Sequence, residues 1–126
     1  MYIAVMGYGT VGSGVVEVFL KNHDSIIKKC GQSQLDLKYI LDLRDFPNDP
    51  NKDKFTKDFN DILNDDEVKI VVETMGGLHP AFEFVSSLLK AGKSVVTSNK
   101  ELVAAKGYEL LTIADENNVN FLFEAS

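Results

Sequence analysis

Tryptophan is absent from this chain of 126 residues, and cysteine occurs once, at Cys30. A lone thiol closes no internal disulfide, so the fold must rest on a packed apolar core, and the usage fits a reducing, cytoplasmic setting. Two lysines precede Cys30, yet the residue reads as a helix-end position without chemistry. Proline is scarce at three residues, and Pro47 and Pro50 fall close together, which leaves the remaining chain open to regular elements. No apolar run approaches the ~20 residues of a membrane span. The opening residues also lack the basic and apolar regions of a signal peptide. Positive charge is in deficit, with 13 Lys and Arg against 19 Asp and Glu and a net charge of −6. That balance argues against a nucleic-acid or anionic-membrane surface, because both require clustered cations.

What the chain does hold is the composition of an ordinary globular domain, 44% hydrophobic and 25% charged. Residues 1–126 are read as one domain, long enough to bury a core. Apolar segments of two periods alternate along it. Tyr2–Met6 reads as a short buried strand. From Thr10 to Lys29 apolar residues recur at helical spacing, with Gly31 placed to stop the helix. Leu35–Leu43 reads as a strand, and Arg44–Lys57, rich in Asp and Lys, as a loop. "DFNDILNDD" predicts a short helix and "KIVVETM" a buried strand. His79–Ala91 predicts a helix with Pro80 in its first turn and Gly92 at its end. "KSVVTS" is a further strand, and "NKELVAAKGYELLTIADENN" a helix interrupted at Gly107. "VNFLFEAS" is the last strand. Strands alternating with helices imply right-handed crossovers and a doubly wound α/β fold with a parallel sheet, order 3-2-1-4-5.

The first strand runs into "GYGTVGSGV", where Gly7, Gly9 and Gly12 form G-x-G-x-x-G at the head of the first helix. In this setting Gly7 permits a tight turn and Gly9 lets a pyrophosphate approach the backbone. Gly12 lets helix and strand pack closely, and Gly14 is assigned to packing rather than binding. Exposed amides at a helix N-terminus attract phosphates, so the motif predicts a dinucleotide site. The end of the second strand is the next checkpoint, where an acidic side chain takes the ribose hydroxyls of NAD and an arginine accepts the extra phosphate of NADP. "LDLRD" offers both, Asp42 and Arg44, and leaves the choice open; either residue could also be a solvated loop-edge charge.

Two further segments narrow the chemistry. In "VVETMGGLHPA" a strand ends at Thr74 and paired glycines; in "AGKSVVTSNKELVAAKG" another ends at Thr97, Ser98, Asn99 and Lys100. Both ends point to the carboxyl edge of the sheet, where ligands bind in open parallel folds. There the Lys100 ammonium could polarise a carbonyl or hold a carboxylate, although a lysine opening a helix is also common without function. His79, at a helix start, reads as a surface or capping residue. The acidic set from Asp42 to Glu67 reads as a solvated edge, lacking any calcium-loop spacing.

With "GYGTVGSGV", "VVETMGG", "AGKSVVTSNK" and "FEAS" in this order, the chain resembles the homoserine dehydrogenase family from Met1 to Ser126. The resemblance implies an NAD(P)-dependent oxidoreductase interconverting L-homoserine and L-aspartate 4-semialdehyde, on the route to threonine, isoleucine and methionine. It places the Thr10 and Val11 amides over the pyrophosphate, beside Gly7, Gly9 and Gly12. Arg44 matches the family's Arg-Asp pair and favours NADPH. Thr74 and Gly76 line the nicotinamide ribose region. Ser98, where alanine or proline is commoner, and Lys100 stand near nicotinamide and substrate, with Lys100 as the catalytic residue. Glu124 matches a ligand of a structural monovalent cation, usually sodium.

The family pattern continues beyond "FEAS" into a substrate and dimerisation domain, so the resemblance implies a coenzyme-binding half. On that reading the chain is inactive alone, a small molecule is the substrate, and the longer protein is a homodimer. Two rival readings remain open at the level of sequence. One is another dehydrogenase family, such as sugar or aspartate dehydrogenases, which place Glu-Lys-Pro where Asn99, Lys100 and Glu101 stand here. The other is a non-catalytic nucleotide-sensing module.

Overall fold

A computed structural model describes residues 1–25 and 35–123. The first strand, β1 (Tyr2–Met6), is apolar on both sides and leads through the glycine turn into α1 (Thr10–Lys21). Asn22 ends α1 by directing its backbone N–H (3.1 Å) and its side-chain amide (2.9 Å) at the Val18 carbonyl. α1 therefore breaks at Asn22, inside the span that its apolar spacing predicts as helix. Residues 23–25 are again helical. The remainder of the expected helix, with Cys30 and Gly31, lies outside the described residues.

β2 (Asp36–Leu41) follows, then a 3-10 turn (Lys52–Lys54) and β3 (Phe55–Thr56). α2 (Phe59–Leu63) starts from Asp58, whose carboxylate accepts from the Asn60 N–H at 2.9 Å. β4 (Val68–Glu73), α3 (Ala81–Lys90), β5 (Ser94–Thr97), α4 (Lys100–Glu116) and β6 (Phe121–Phe123) complete the order. Pro80 occupies the cap position of α3 rather than its first turn. The end of α3 is closed by Gly92 at φ +84°, with Gly92 N–H on Leu89 O (3.1 Å) and Lys93 N–H on Leu88 O (3.0 Å). This paired arrangement satisfies carbonyls that the last turn would otherwise leave open. α4 runs through Gly107 without a break. One glycine costs a helix interior only ~1 kcal/mol, and the buried face of Leu102, Leu110 and Ala114 offsets it.

Among the described residues the six strands are all parallel, in the order β3-β2-β1-β4-β5-β6. The expected order 3-2-1-4-5 is present within this sheet, and the strand that the sequence reading does not name is β3, at the edge beside β2. That strand lies inside the segment read as loop, so "KIVVETM" becomes the fourth strand in sequence. The loop reading failed because Phe55 is held by distant aromatics. It stacks on Phe46 with ring centroids 5.0 Å apart and meets Tyr8 edge-on at 4.8 Å. That packing sets Phe55 opposite Ile40 and Thr56 opposite Leu41.

Strand alternation divides the core. Ala4 and Met6 face Val85, Leu88, Leu102 and Leu110 of α3 and α4, whereas Ile3 and Val5 face Val16 and Phe19 of α1. A parallel sheet buried on both faces requires such double-sided apolar strands. Their carboxyl ends converge on one edge, where the glycine turn, Thr74 and the start of α4 lie.

Candidate functional site

The site grows from the turn between β1 and α1. Gly7 adopts φ +96°, a region costly for residues with a side chain. A Cβ on Gly7 would stand 2.9 Å from Thr74 Oγ1, and one on Gly12 would stand 1.9 Å from the Gly7 carbonyl oxygen. Gly12 therefore lets α1 seat directly against the turn. A Cβ on Gly9 would meet nothing within 4 Å, so open space lies over the start of the helix. Gly14 likewise has no neighbour within 4 Å of such a Cβ, which removes the packing role expected for it.

No side chain caps α1 and no acidic residue stands in its first turn, among the described residues. Thr10 and Val11 are exposed there, while Gly12 is buried. An uncapped helix start with open space above it is a cradle for a diphosphate. The residues present fit the phosphates of a dinucleotide.

Beside this turn lies a cavity of about 450 Å³ whose lining includes Gly7, Gly9, Arg44 and Thr74. Its apolar walls come from Leu41, Phe59, Met75, Pro80 and Phe84, residues that sequence reasoning did not single out. Of the other expected site residues, Thr10, Val11 and Gly12 lie on α1 and do not line this cavity. Gly76 and Ser98 lie on the turns after β4 and β5, and Lys100 opens α4, at the same sheet edge. Glu124 falls outside the described residues. Among the described residues no group of three or more His, Cys, Asp or Glu side chains could hold a metal ion.

Asp42 and Arg44 interact with each other. Asp42 Oδ1 accepts from Arg44 N–H (2.9 Å) and Arg44 Nε (3.0 Å), and Oδ2 accepts from Arg44 Nη2 (2.9 Å) and the Tyr8 N–H (2.9 Å). The guanidinium fork, helped by the two backbone amides, lowers the Asp42 carboxyl from 3.8 to about 2 against the opposing effect of burial. The same pairing raises the Arg44 pKa. Asp42 thus ties the glycine turn to the end of β2, with its side chain 8% exposed, while Arg44 stands 63% exposed at the cavity. Tyr8 extends the tie by donating its hydroxyl to Asp49 at 2.7 Å, and burial followed by this carboxylate raises its phenol pKa. His79 keeps to the surface role expected of it, pairing with Glu83 at 2.7 Å.

Thr74 joins the next turn to the first. Its hydroxyl lies 2.9 Å from Met6 O and 3.1 Å from Gly7 O. The paired glycines that follow, Gly76 and Gly77, adopt φ +76° and +75°. After β5, Asn99 caps α4 by accepting from Leu102 N–H at 3.0 Å, so exposed Lys100 becomes the first residue of that helix. Glu73, fully buried at the end of β4, was missed; a charged residue inside the apolar run "VVETM" was the available signal.

The comparisons with known proteins agree with this geometry. The family model described as "Homoserine dehydrogenase, NAD binding domain" matches residues 7–124. Homoserine dehydrogenase of Lactococcus lactis is 34% identical over 128 residues, covering 98% of this chain and 30% of that protein. That of Corynebacterium glutamicum is 37% identical over 126 residues, covering 98% of this chain and 28% of that protein. A crystal structure of S. aureus homoserine dehydrogenase at pH 7.0 superposes with a TM-score of 0.89 at 38% identity, over 99% of this chain and 32% of that one. The chain spans about 30% of the length of the curated relatives it matches. With its parallel sheet, glycine turn and uncapped α1, the chain belongs to the family of homoserine dehydrogenase NAD-binding domains.

Proposed function

We propose that these residues form the coenzyme-binding half of an oxidoreductase that interconverts L-homoserine and L-aspartate 4-semialdehyde with NAD(P)H. The observation that carries this reading is the open space at Gly9 above the uncapped start of α1, next to the cavity lined by Gly7, Arg44 and Thr74. The amides of Thr10 and Val11 hold the pyrophosphate, and Gly7 and Gly12 give the backbone its close approach. NADPH is the favoured coenzyme. The Asp42 oxygens already accept from Arg44 and Tyr8, so the exposed charge offered to a ribose phosphate is the Arg44 guanidinium. Thr74 and Gly76 border the nicotinamide ribose, with Ser98 and Lys100 nearby.

The nicotinamide supplies or accepts the hydride. Lys100, at the head of α4, polarises the substrate carbonyl or holds its carboxylate. The groups that grip the substrate, the dimer contacts and the cation ligands that would join Glu124 are assigned to the part of the relatives' length that this chain does not cover. The placement of the longer enzyme in the cytoplasm and in amino-acid biosynthesis belongs to the same proposal.

Isothermal titration of the purified chain, paired with an assay using NADPH and aspartate semialdehyde, tests it. Saturable NADPH binding without turnover is expected. Measurable turnover overturns the division of labour, and binding of AMP as tight as that of NADPH overturns the dehydrogenase reading in favour of a nucleotide sensor.

A further inference from the structure

Glu73 is a fully buried glutamate at the end of an apolar strand. Burying a carboxyl group is costly unless hydrogen bonds replace its water, and an aliphatic residue would fill this strand position without that cost. The bonds it makes lie between two turns. One oxygen, Oε1, accepts from the Met75 N–H, and the other, Oε2, accepts from the Thr97 hydroxyl at 2.9 Å. Thr97 Oγ1 in turn accepts from the Asn99 N–H at 3.0 Å, and Asn99 Nδ2 donates to Gly77 O at 2.6 Å. The bonds close a ring: Glu73, Thr97, Asn99, Gly77 and back along the chain through Met75. Thr97 is 2% exposed and Asn99 5%, so solvent does not compete for these partners. Thr74, within the ring's first turn, also fastens it to Gly7 O.

We propose that Glu73 is a positioning residue, whose two carboxyl oxygens hold the Met75–Gly77 turn and the Ser98–Lys100 turn at one fixed separation. This rests on the coenzyme reading above and deepens it. The ring sets where Gly76 and Lys100 stand relative to the glycine turn, whereas Arg44 is anchored separately by Asp42. Loss of the ring should therefore loosen the nicotinamide end of the site and spare the adenosine end. Glu73→Gln keeps the shape but replaces one of the two acceptor oxygens by an amide NH2, so either the Met75 N–H or the Thr97 O–H loses its acceptor.

The test compares E73Q, Thr97→Val and Thr97→Ser with the parent chain, at temperatures where circular dichroism reports each folded. Amide hydrogen exchange without ligand should accelerate at residues 75–78 and 98–102 in E73Q and T97V, but not at residues 42–44. T97S, which keeps the hydroxyl, should match the parent. NADPH affinity should fall about tenfold, the scale of one lost hydrogen bond, while affinity for adenosine 2′,5′-bisphosphate stays within about twofold. Unchanged exchange in the second turn overturns the proposal, as does an equal loss for both ligands. A T97V variant indistinguishable from the parent also overturns it, and supplies the answer should E73Q fail to fold. If the parent chain itself binds neither ligand, the coenzyme reading fails on its own, and hydrogen exchange alone decides whether Glu73 couples the turns.

Discussion

Arg44 and Asp42 carry one interaction with two consequences. Because the fork lowers the folded carboxyl from 3.8 to about 2, the unfolded chain binds a proton across that window while the folded chain does not. Stability therefore rises with pH through the window. The contribution is fully present above about pH 4 and is lost as pH falls toward 2. Arg44 is 63% exposed, so water screens the pair and it contributes less stability than the full shift implies. Arg44→Ala should flatten this acid limb in urea titrations run from pH 5 to pH 2. The same substitution should weaken NADPH binding by about tenfold or more, the scale of a charge-assisted phosphate contact, and NADH binding far less. Equal losses for the two coenzymes would make Arg44 a structural residue only.

At the scale of the element, α1 is seated by one glycine and indifferent to another. A Cβ at Gly12 would lie 1.9 Å from a backbone oxygen, so α1 must move off the turn. Gly12→Ala should cost about 3 kcal/mol or more and abolish coenzyme binding with it. Gly14, two residues on in the same helix, has open space at its Cβ position. Gly14→Ala should stabilise the chain by about 0.5–1 kcal/mol by removing unfolded-state freedom. Chemical denaturation of the two variants checks the contrast. A loss at Gly14 comparable to that at Gly12 would overturn the open space assigned to Gly14.

Across the whole molecule, protection should follow position in the sheet. β1 and β4 lie at the centre, with Ala4, Val5, Met6 and Val71 fully buried. β3 has two residues at one edge and β6 three at the other. On the α1 side of the sheet, Val96 and Leu122 stand 36% and 56% exposed, so packing thins toward β6. Amides of β1 and β4 should exchange only through global unfolding, and those of β3 and β6 through local opening at lower free energy. Hydrogen exchange read over a denaturant series distinguishes the classes; merged rates would show a single cooperative unit reaching both edges.

The elements and the location of the site were legible in order, because period, caps and glycines act between neighbours in the chain. The alternating strands and helices, the Gly92 stop, the Asn99–Lys100 helix start and the glycine turn all follow from residues a few positions apart. Tertiary structure alone decided the rest. β3 exists because Phe55 finds Tyr8 and Phe46. Asp42 becomes a tie between β2 and the glycine turn because the Tyr8 N–H, thirty-four positions away, reaches it, and Glu73 gains a role through Thr97, twenty-four positions away. The physical reason is common to these cases: a polar or aromatic side chain is assigned by the partners that compete for it, and in a parallel sheet those partners arrive by crossover from distant sequence.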